Sequence, residues 1–157
     1  MSHTNSRTEY NQRSGGQPQQ KQPVVPLSED NYADLAEKAI RSLKDKKDKS
    51  GKPLGMLTTS QIRNLLAMTA DIYNEVVSDN SEKLSGETIE RISYLRIRFV
   101  YEAGRNPKDP KVRNFVEAAN VIEYLKKASE SRTDYIRFSR YMEALVAYHR
   151  YYGGMDQ

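Results

Sequence analysis

The feature that most constrains this chain is an apolar residue at every third or fourth position, repeated in five segments from Tyr32 onwards. Such spacing lines apolar side chains along one side of an α-helix, whereas a half-buried strand would alternate them at every second residue. Strands have no clear candidate. Short loops containing Gly, Pro, Ser or Asn separate the segments, which favours antiparallel neighbours. The sequence therefore predicts an all-α fold, a compact bundle of about five helices.

Local signals predict where the helices begin and end. Ser or Thr before a periodic segment is a typical N-cap, and Gly or Pro after it is a typical stop. The predicted segments run from Ser28 to the lysine-rich stretch at 44–49, from Thr58 or Thr59 to the loop at 78–81, from Ser85 to Gly104, across 112–122, and from near Thr133 to Gly153. The buried stripe predicted for the third segment consists of Ile89, Ile92, Leu95, Phe99 and Val100.

Residues 1–27 differ in composition from the rest of the chain, being rich in Gln, Ser, Asn, Gly and Pro. Such a segment cannot bury enough apolar surface to offset its ordering entropy, so we expect a disordered tail at 1–27 and one helical-bundle domain at 28–157. The chain has no cysteine, and it lacks the run of about 18 apolar residues that a membrane-spanning helix needs. We therefore expect no disulfide, no membrane span and a cytoplasmic location.

Catalytic chemistry has little support in this sequence. Of the two histidines, His3 lies in the predicted tail and His149 lies on the apolar stripe of the last segment. A histidine in such a stripe is more often a hydrogen-bonded core or boundary residue than a catalytic one. Residues 51–55 contain Gly and Lys but lack the spacing and the Ser or Thr of a phosphate-binding loop. We expect no catalytic residue, no metal site and no cofactor.

The arrangement of arginines says more than the net charge of +4, which does not decide for or against nucleic acid. Opposite the apolar stripe of the third segment lie Arg91, Tyr94, Arg98, Tyr101 and Arg105. Guanidinium groups pair with phosphates and tyrosine rings stack on bases, but an exposed face whose tyrosines touch another helix fits equally well. Arg96 falls within the stripe, so its long stem must reach the bundle rim or its charge must pair with a buried acid.

The last segment has a second unusual face, opposite its apolar stripe. That face consists of Arg137, Arg140, Ala144, Ala147, Tyr148 and Tyr151. It is too apolar for open solvent and too basic for a core, and mixtures of Tyr, Ala and Arg occur at protein interfaces. The alternative is contact with other helices of the same bundle. We predict an interface on this face.

Three strings carry a resemblance to a known family. They are LTTSQIRNLL at 57–66, YLRIRFVYEAGR at 94–105 and RYMEALVAY at 140–148. In this order and at these spacings they resemble the small subunit of type III-A CRISPR effector complexes, the Csm small-subunit family. The resemblance extends from about residue 27 to residue 154 and does not include the predicted tail.

The resemblance implies a helical bundle without enzymatic activity of its own. Copies would stack into a filament beside the backbone subunit and the large signature subunit, along the channel where guide RNA pairs with target RNA. The arginines of the three strings become candidates for RNA contact, and we add Arg137: the set is Arg63, Arg96, Arg98, Arg105, Arg137 and Arg140. We expect the arginines of the strings to converge on one groove. The protein-interface candidates are Tyr101, Ala144, Ala147, Tyr148 and Tyr151.

Two other functional classes compete with a non-catalytic RNA-contacting subunit. A helical DNA-binding regulator needs a short helix-turn-helix, and the loops at 51–55 and 104–110 are too long and too proline-broken for that turn. A helical protein–protein adaptor without RNA contact fits the same bundle and stays open. An adaptor's affinity for its partners would be insensitive to salt, whereas phosphate contacts make binding salt-dependent.

Overall fold

The computed structural model describes residues 23–156, and this part of the chain folds into six α-helices. They are α1 (Tyr32–Lys44), α2 (Thr59–Ser78), α3 (Gly86–Gly104), α4 (Lys111–Ala118), α5 (Val121–Ala128) and α6 (Arg132–Tyr151). The one β pairing among the described residues is an isolated bridge between Lys47 and Pro53. The all-α prediction is therefore confirmed. None of these helices is long and apolar enough to cross a membrane.

The break between α4 and α5 makes six helices where the sequence predicted about five. Asn120 adopts the left-handed conformation, with φ 51°, which ends one helix and starts the next. Asparagine tolerates that conformation better than most residues. The buried Tyr141 hydroxyl donates a hydrogen bond of 2.8 Å to the carbonyl of Ala119 at this break. Because the apolar spacing continues across the break, the sequence alone suggested one helix.

The starts of α2 and α3 lie where the sequence placed them. Thr58 and Gln61 form a reciprocal capping box, in which each side chain accepts a hydrogen bond from the other's backbone N–H, at 3.1 and 2.8 Å. The Ser85 hydroxyl accepts a hydrogen bond of 3.1 Å from the N–H of Thr88. Such caps satisfy N–H groups that have no partner inside the helix. The predicted end of α3 at Gly104 is also confirmed.

The starts of α1 and α6 differ from the predicted ones. The Asn31 side chain accepts a hydrogen bond of 2.7 Å from the N–H of Ser28, which closes a turn ahead of the helix, so α1 begins at Tyr32. Ser131 caps α6 through its hydroxyl, two residues before the predicted cap at Thr133. In both places several Ser, Thr or Asn side chains compete for the same role, and geometry decides between them.

The core is organised around α6, which packs against α1, α2 and α5. Tyr135, Phe138, Met142 and Leu145 on this helix are completely buried. The buried Tyr135 hydroxyl donates to the carbonyl of Thr69 at 2.9 Å. Burial raises the pKa of Tyr135 well above its ordinary value, because the apolar core disfavours the charged phenolate.

The predicted tail reaches too far into the folded domain at residues 23–27. Val24 and Leu27 pack against the core, and the Tyr124 hydroxyl donates a hydrogen bond of 2.7 Å to the carbonyl of Val25. The tail prediction is therefore wrong for these five residues. Residues 1–22, the rest of the predicted tail, lie outside the described part of the chain.

The buried side of α3 is narrower than the sequence suggested. Ile92, Leu95 and Phe99 are buried as predicted, but Ile89 is 39% exposed and Val100 is 55% exposed. The prediction is wrong for these two because they lie about 90–110° around the helix from the centre of the buried face, at about 100° per residue. Neighbouring helices cover only the central strip of α3, and a set of apolar side chains faces outward.

Candidate nucleic-acid and protein interfaces

The arginines and tyrosines predicted to share one side of α3 all lie on its exposed surface. Tyr94 and Tyr101 are each 63% exposed. Arg91 forms an ion pair with Glu75 of α2, and Arg105, the residue directly after α3, approaches Glu102 of that helix at 3.4 Å. Pairs as exposed as these contribute little to stability, so the guanidinium groups remain accessible to a ligand.

A groove of about 470 Å³ lies between α2, α3 and the loop that follows α3. Its polar lining consists of Gln61, Asn64, Asp71, Arg98, Glu102, Arg105, Asn106 and Asp109. Arg98 makes no ion pair within residues 23–156. The amides and guanidinium groups can donate hydrogen bonds to phosphate or sugar oxygens, whereas the three carboxylates repel phosphate. The groove therefore suits local phosphate contacts at its arginines better than a phosphate chain along its whole length.

A second cavity continues this groove along α3 toward its N-terminal end. It measures about 440 Å³ and shares Met68, Asp71 and Arg98 with the first cavity. Tyr94 lines it as well, so an aromatic ring and a guanidinium group border the same depression. Exposed rings beside arginines are the combination on which unpaired bases stack in single-strand binding.

The structure divides the predicted RNA contacts between two regions. Arg98 and Arg105 line the α2–α3 groove, whereas Arg137 and Arg140 line a separate cleft of about 350 Å³ between the start of α1 and α6. In that cleft Arg137 is half-buried, and its guanidinium lies 3.9 Å from the Glu29 carboxylate. The expectation that the arginines converge on one groove is therefore wrong.

Arg63 and Arg96 lie outside both of these linings. Arg63 is exposed on α2, next to Asn64 of the α2–α3 groove. Arg96 is half-buried on α3 and has no carboxylate partner in the described part of the chain. Of the two alternatives for Arg96, the geometry favours a stem that lies along the bundle while its charged head reaches water.

The second face of α6 is partly covered by its own bundle. Ala144 and Tyr148 are half-buried against the core, and the Tyr148 ring stacks on Tyr152 with centroids 6.3 Å apart. Burial raises the pKa of Tyr148, with the nearby Glu37 charge adding to the effect. Tyr151 is 79% exposed and remains available to a partner. Intramolecular contact thus accounts for one edge of this face.

One arginine has a structural role that the sequence analysis missed. Arg132 opens α6, and its guanidinium donates to three carbonyls at the end of α2, those of Val76 at 3.2 Å, Val77 at 3.4 Å and Asp79 at 2.8 Å. Those carbonyls lack partners inside α2, and a positive charge complements the helix dipole there. A base in the first turn of a helix is unfavourable for that helix itself. The position of Arg132 in the first turn of α6 was therefore the sequence signal that its guanidinium interacts with another helix.

His149 has the structural role that was predicted for it. The imidazole is fully buried, and its Nε2 lies 2.7 Å from the carbonyl of Leu57. The backbone of Gly154 packs directly against the ring. A Cβ at this position would be only 2.1 Å from Cε1 of His149, so only glycine fits here without a shift. Across residues 23–156 no group of three or more His, Cys, Asp and Glu side chains could hold a metal ion.

Fold and surfaces together define a small all-α domain, with arginines and tyrosines displayed on two helices. The chain belongs to the Csm2 type III-A family, whose model matches residues 37–155. The CRISPR system Cms protein Csm2 of Streptococcus thermophilus is 45% identical over 83% of this chain and 98% of that protein. Proteins of the same name from Mycobacterium tuberculosis (strain H37Rv) and Enterococcus italicus are 39% and 32% identical, over 85% and 75% of this chain and 100% and 86% of their own lengths. The family resemblance is thereby confirmed.

Proposed function

We propose that this chain is a non-catalytic small subunit of a cytoplasmic type III-A CRISPR ribonucleoprotein effector, in which it contacts guide or target RNA during antiviral defence. The observation that carries the RNA contact is a set of arginines without an ion pair anywhere in residues 23–156: Arg63, Arg96, Arg98 and Arg140. Guanidinium groups bind phosphates bidentately, and none of these four is engaged in an ion pair with a carboxylate.

Contacts of this kind position an RNA without selecting its sequence. Phosphate contacts carry no base information, so sequence discrimination would come from guide–target pairing, as in other RNA-guided systems. The three carboxylates of the α2–α3 groove support discrete contacts at Arg98 and Arg105 over continuous coverage of a strand. The arginines act together, because each exposed contact alone is screened at physiological salt.

Self-association and contact with other effector subunits complete the proposal. Tyr101 and Tyr151 are 63% and 79% exposed, and Ala147 beside Tyr151 is also exposed. Exposed tyrosines surrounded by small side chains provide rigid contact area at low entropic cost. Stacking of copies into a filament, and contact with the backbone subunit and the large signature subunit, would use these exposed residues of α3 and α6.

The test compares two triple variants of equal charge change in the assembled complex. In the first, Arg63, Arg98 and Arg105 are replaced by Ala. In the control, Arg113, Lys126 and Lys127 are replaced by Ala, since each is exposed and pairs with a glutamate on its own helix or on the turn after it. We would measure target-RNA affinity from low to high salt, after checking subunit stoichiometry.

The first variant should weaken binding and flatten the dependence of log affinity on log salt by about 2, since each single-strand phosphate contact contributes about 0.7. The control should change neither quantity by a comparable amount. Equal effects of both variants would show that only bulk charge matters. Unchanged affinity and slope in the first variant would support the alternative function, a helical adaptor without RNA contact.

The non-catalytic part of the proposal has its own test. The isolated chain should show no nuclease, ATPase or cyclase activity with any divalent metal, since no constellation of catalytic side chains can be assembled from its sequence. The measurement is an activity assay on material purified to constant specific activity. Metal-dependent RNA cleavage that a point mutation in this chain abolishes would contradict the proposal.

A further inference from the structure

The loop between α1 and α2 contains the densest cluster of basic residues in the chain. Residues 44–53 contain five lysines and two aspartates, and all five lysines are exposed. None of the five forms an ion pair within residues 23–156. The loop lines neither of the cavities to which the arginines belong. Like charges held this close repel one another, and nothing in the RNA proposal explains them.

Backbone hydrogen bonds fold residues 46–54 into a short basic hairpin. The N–H of Leu54 donates to the carbonyl of Lys46 at 3.0 Å, and the N–H of Asp48 donates to the carbonyl of Lys52 at 2.8 Å. These two bonds join the arms of the hairpin as in an antiparallel pair of strands. The lysines are therefore held close together by the backbone.

A single carboxylate closes the tip of the basic hairpin. Oδ1 of Asp48 accepts hydrogen bonds from the N–H of Ser50 at 2.8 Å, from the Ser50 hydroxyl at 2.6 Å and from the N–H of Lys52 at 3.0 Å. The Ser50 hydroxyl, followed by the N–H of Lys52, lowers the pKa of Asp48 below its ordinary value. Gly51 has φ 85°, a conformation that glycine adopts without steric cost. Asp48 therefore stabilises the turn that presents the lysines.

Two of the five lysines have contacts within the chain. The Nζ of Lys46 donates to the Asn114 side chain of α4 at 3.2 Å, which attaches the hairpin to the bundle. The Nζ of Lys44 lies 5.5 Å from the centre of the Tyr152 ring, a cation–π contact. The remaining three are the candidates for binding a ligand: Lys47, Lys49 and Lys52.

The chemistry of the basic hairpin suits phosphate groups better than a protein surface. Protein interfaces are depleted of lysine and use aromatic side chains as anchors, whereas none of the large exposed hydrophobic residues lies in the hairpin. An exposed lysine paired with a carboxylate contributes little to affinity. Each phosphate neutralised on a nucleic acid releases counterions, so several lysines together provide measurable affinity.

We infer that the basic hairpin is a second nucleic-acid site, which binds the phosphate backbone through Lys47, Lys49 and Lys52. The site goes beyond the proposed function, because none of the arginines proposed to contact guide or target RNA belongs to it. The hairpin has no aromatic ring on which a base could stack. Contacts to phosphate alone carry no base information. The site should therefore accept RNA and DNA strands alike.

The first test is lysine footprinting of the full chain without other subunits. Mass spectrometry measures acetylation of each lysine at low salt, with and without an oligouridylate or oligothymidylate of about 20 nucleotides, longer than a site of about 4–16 nucleotides. Either strand should slow acetylation of the three candidate lysines at least about threefold, because a bound phosphate favours the protonated, unreactive amine. The internal controls are exposed lysines on other elements, which should react unchanged: Lys83, Lys126 and Lys127.

The second test separates the shape of the basic hairpin from its bulk charge. Asp48→Ala removes a negative charge but also the acceptor that closes the turn, so it should weaken binding roughly threefold although the net charge becomes more positive. Asp45→Ala makes the same charge change without touching the turn, and it should bind at least as tightly as the original chain. Asp48→Asn keeps an oxygen acceptor and should also bind at least as tightly.

Fluorescence anisotropy with the same two oligonucleotides measures these affinities. The variants are made in the chain that already carries the three arginine replacements of the RNA proposal, so that the α2–α3 groove does not mask the hairpin. Circular dichroism verifies that the helices are intact in each variant.

Three outcomes would overturn the inference. Equal protection of hairpin and control lysines, or no protection, would show that the hairpin is not a site. Equal changes in affinity for Asp48→Ala and Asp45→Ala would show that only bulk charge matters. Protection by only one of the two oligonucleotides would mean that a sugar or base is recognised. None of these results affects the RNA proposal, which is measured in the assembled complex with arginine variants.

Discussion

Helices α3 and α6 both contain several arginines and tyrosines, but they place these residues in different surroundings. They contain 19 and 20 residues, and both alternate arginines with tyrosines. In α6 the rings of Tyr135 and Tyr141 are almost completely buried, whereas in α3 Tyr94 and Tyr101 are mostly exposed. The difference arises from their neighbours, because α6 is enclosed by α1, α2 and α5 while α3 is covered along one strip. A mixture of Tyr and Arg therefore does not by itself indicate a surface.

The largest expected difference between the two helices is in core packing. Phe138→Ala in α6 removes a fully buried ring, which should lower the free energy of unfolding by about 3–5 kcal/mol. Tyr101→Ala in α3 should leave it unchanged, because that ring is exposed. Urea unfolding followed by circular dichroism measures both. A loss from Tyr101→Ala comparable to that from Phe138→Ala would mean that α3 is more enclosed than described.

The glycines that follow or end these helices give the next largest contrast. Gly154→Ala would place a methyl group 2.1 Å from the His149 ring, which should destabilise the chain by about 3 kcal/mol through overpacking. Gly104→Ala at the end of α3 meets no atom within 4 Å, so it should be neutral or slightly stabilising. Thermal unfolding of the two variants tests this. Equal melting temperatures would show that the C-terminal segment moves away from His149 without cost.

Buried and exposed tyrosines should also differ in their pH dependence. Burial raises the pKa of the Tyr141 phenol above its unfolded value. The stability that this provides is fully present below the unfolded pKa of about 10 and is lost as pH rises toward the folded pKa. Stability should therefore fall above about pH 10.

Tyr141→Phe should make the free energy of unfolding less sensitive to alkaline pH. Near neutral pH it should lower the free energy of unfolding by about 2 kcal/mol, because the carbonyl of Ala119 loses its hydrogen-bond partner. Tyr101→Phe is the control and should alter neither quantity. Denaturant unfolding between pH 7 and pH 11 provides the measurement. A profile for Tyr141→Phe that matches the original chain would mean that another group governs the alkaline loss.

How much of this architecture the sequence predicted depends on how local each feature is. The caps at Thr58 and Ser85 were found because three neighbouring residues suffice to form them. The break at Asn120 was missed because the pattern continues across it and a distant tyrosine stabilises it. Arg132 was missed for the same reason, since its partners lie more than 50 residues away.

The candidate site was predicted less well than the fold. The exposed grouping of Arg98, Tyr101 and Arg105 followed from helix periodicity alone, and it is present. The division of the arginines between two cavities did not follow, because helix periodicity fixes a residue's side of its own helix and says nothing about which helix lies beside it. For the same reason Val100 was assigned to a core that does not reach it.

The smallest expected effects are at the helix starts, where equivalent substitutions in α3 and α6 should change stability by the same amount. Ser85 and Ser131 each cap a helix by accepting a hydrogen bond of 3.1 Å from a backbone N–H three residues later. A cap acts on the first turn only, so its value is independent of how deeply the rest of the helix is buried. Ser85→Ala and Ser131→Ala should therefore each cost about 1 kcal/mol. Replacement by Gly at either position should cost only a few tenths of a kcal/mol, because water then reaches the freed N–H groups.

Parallel urea titrations of the four variants measure these changes in the free energy of unfolding. If Ser131→Ala proved several times more damaging than Ser85→Ala, the start of α6 would be coupled to the core, and the contrast between the two helices would extend over their whole length.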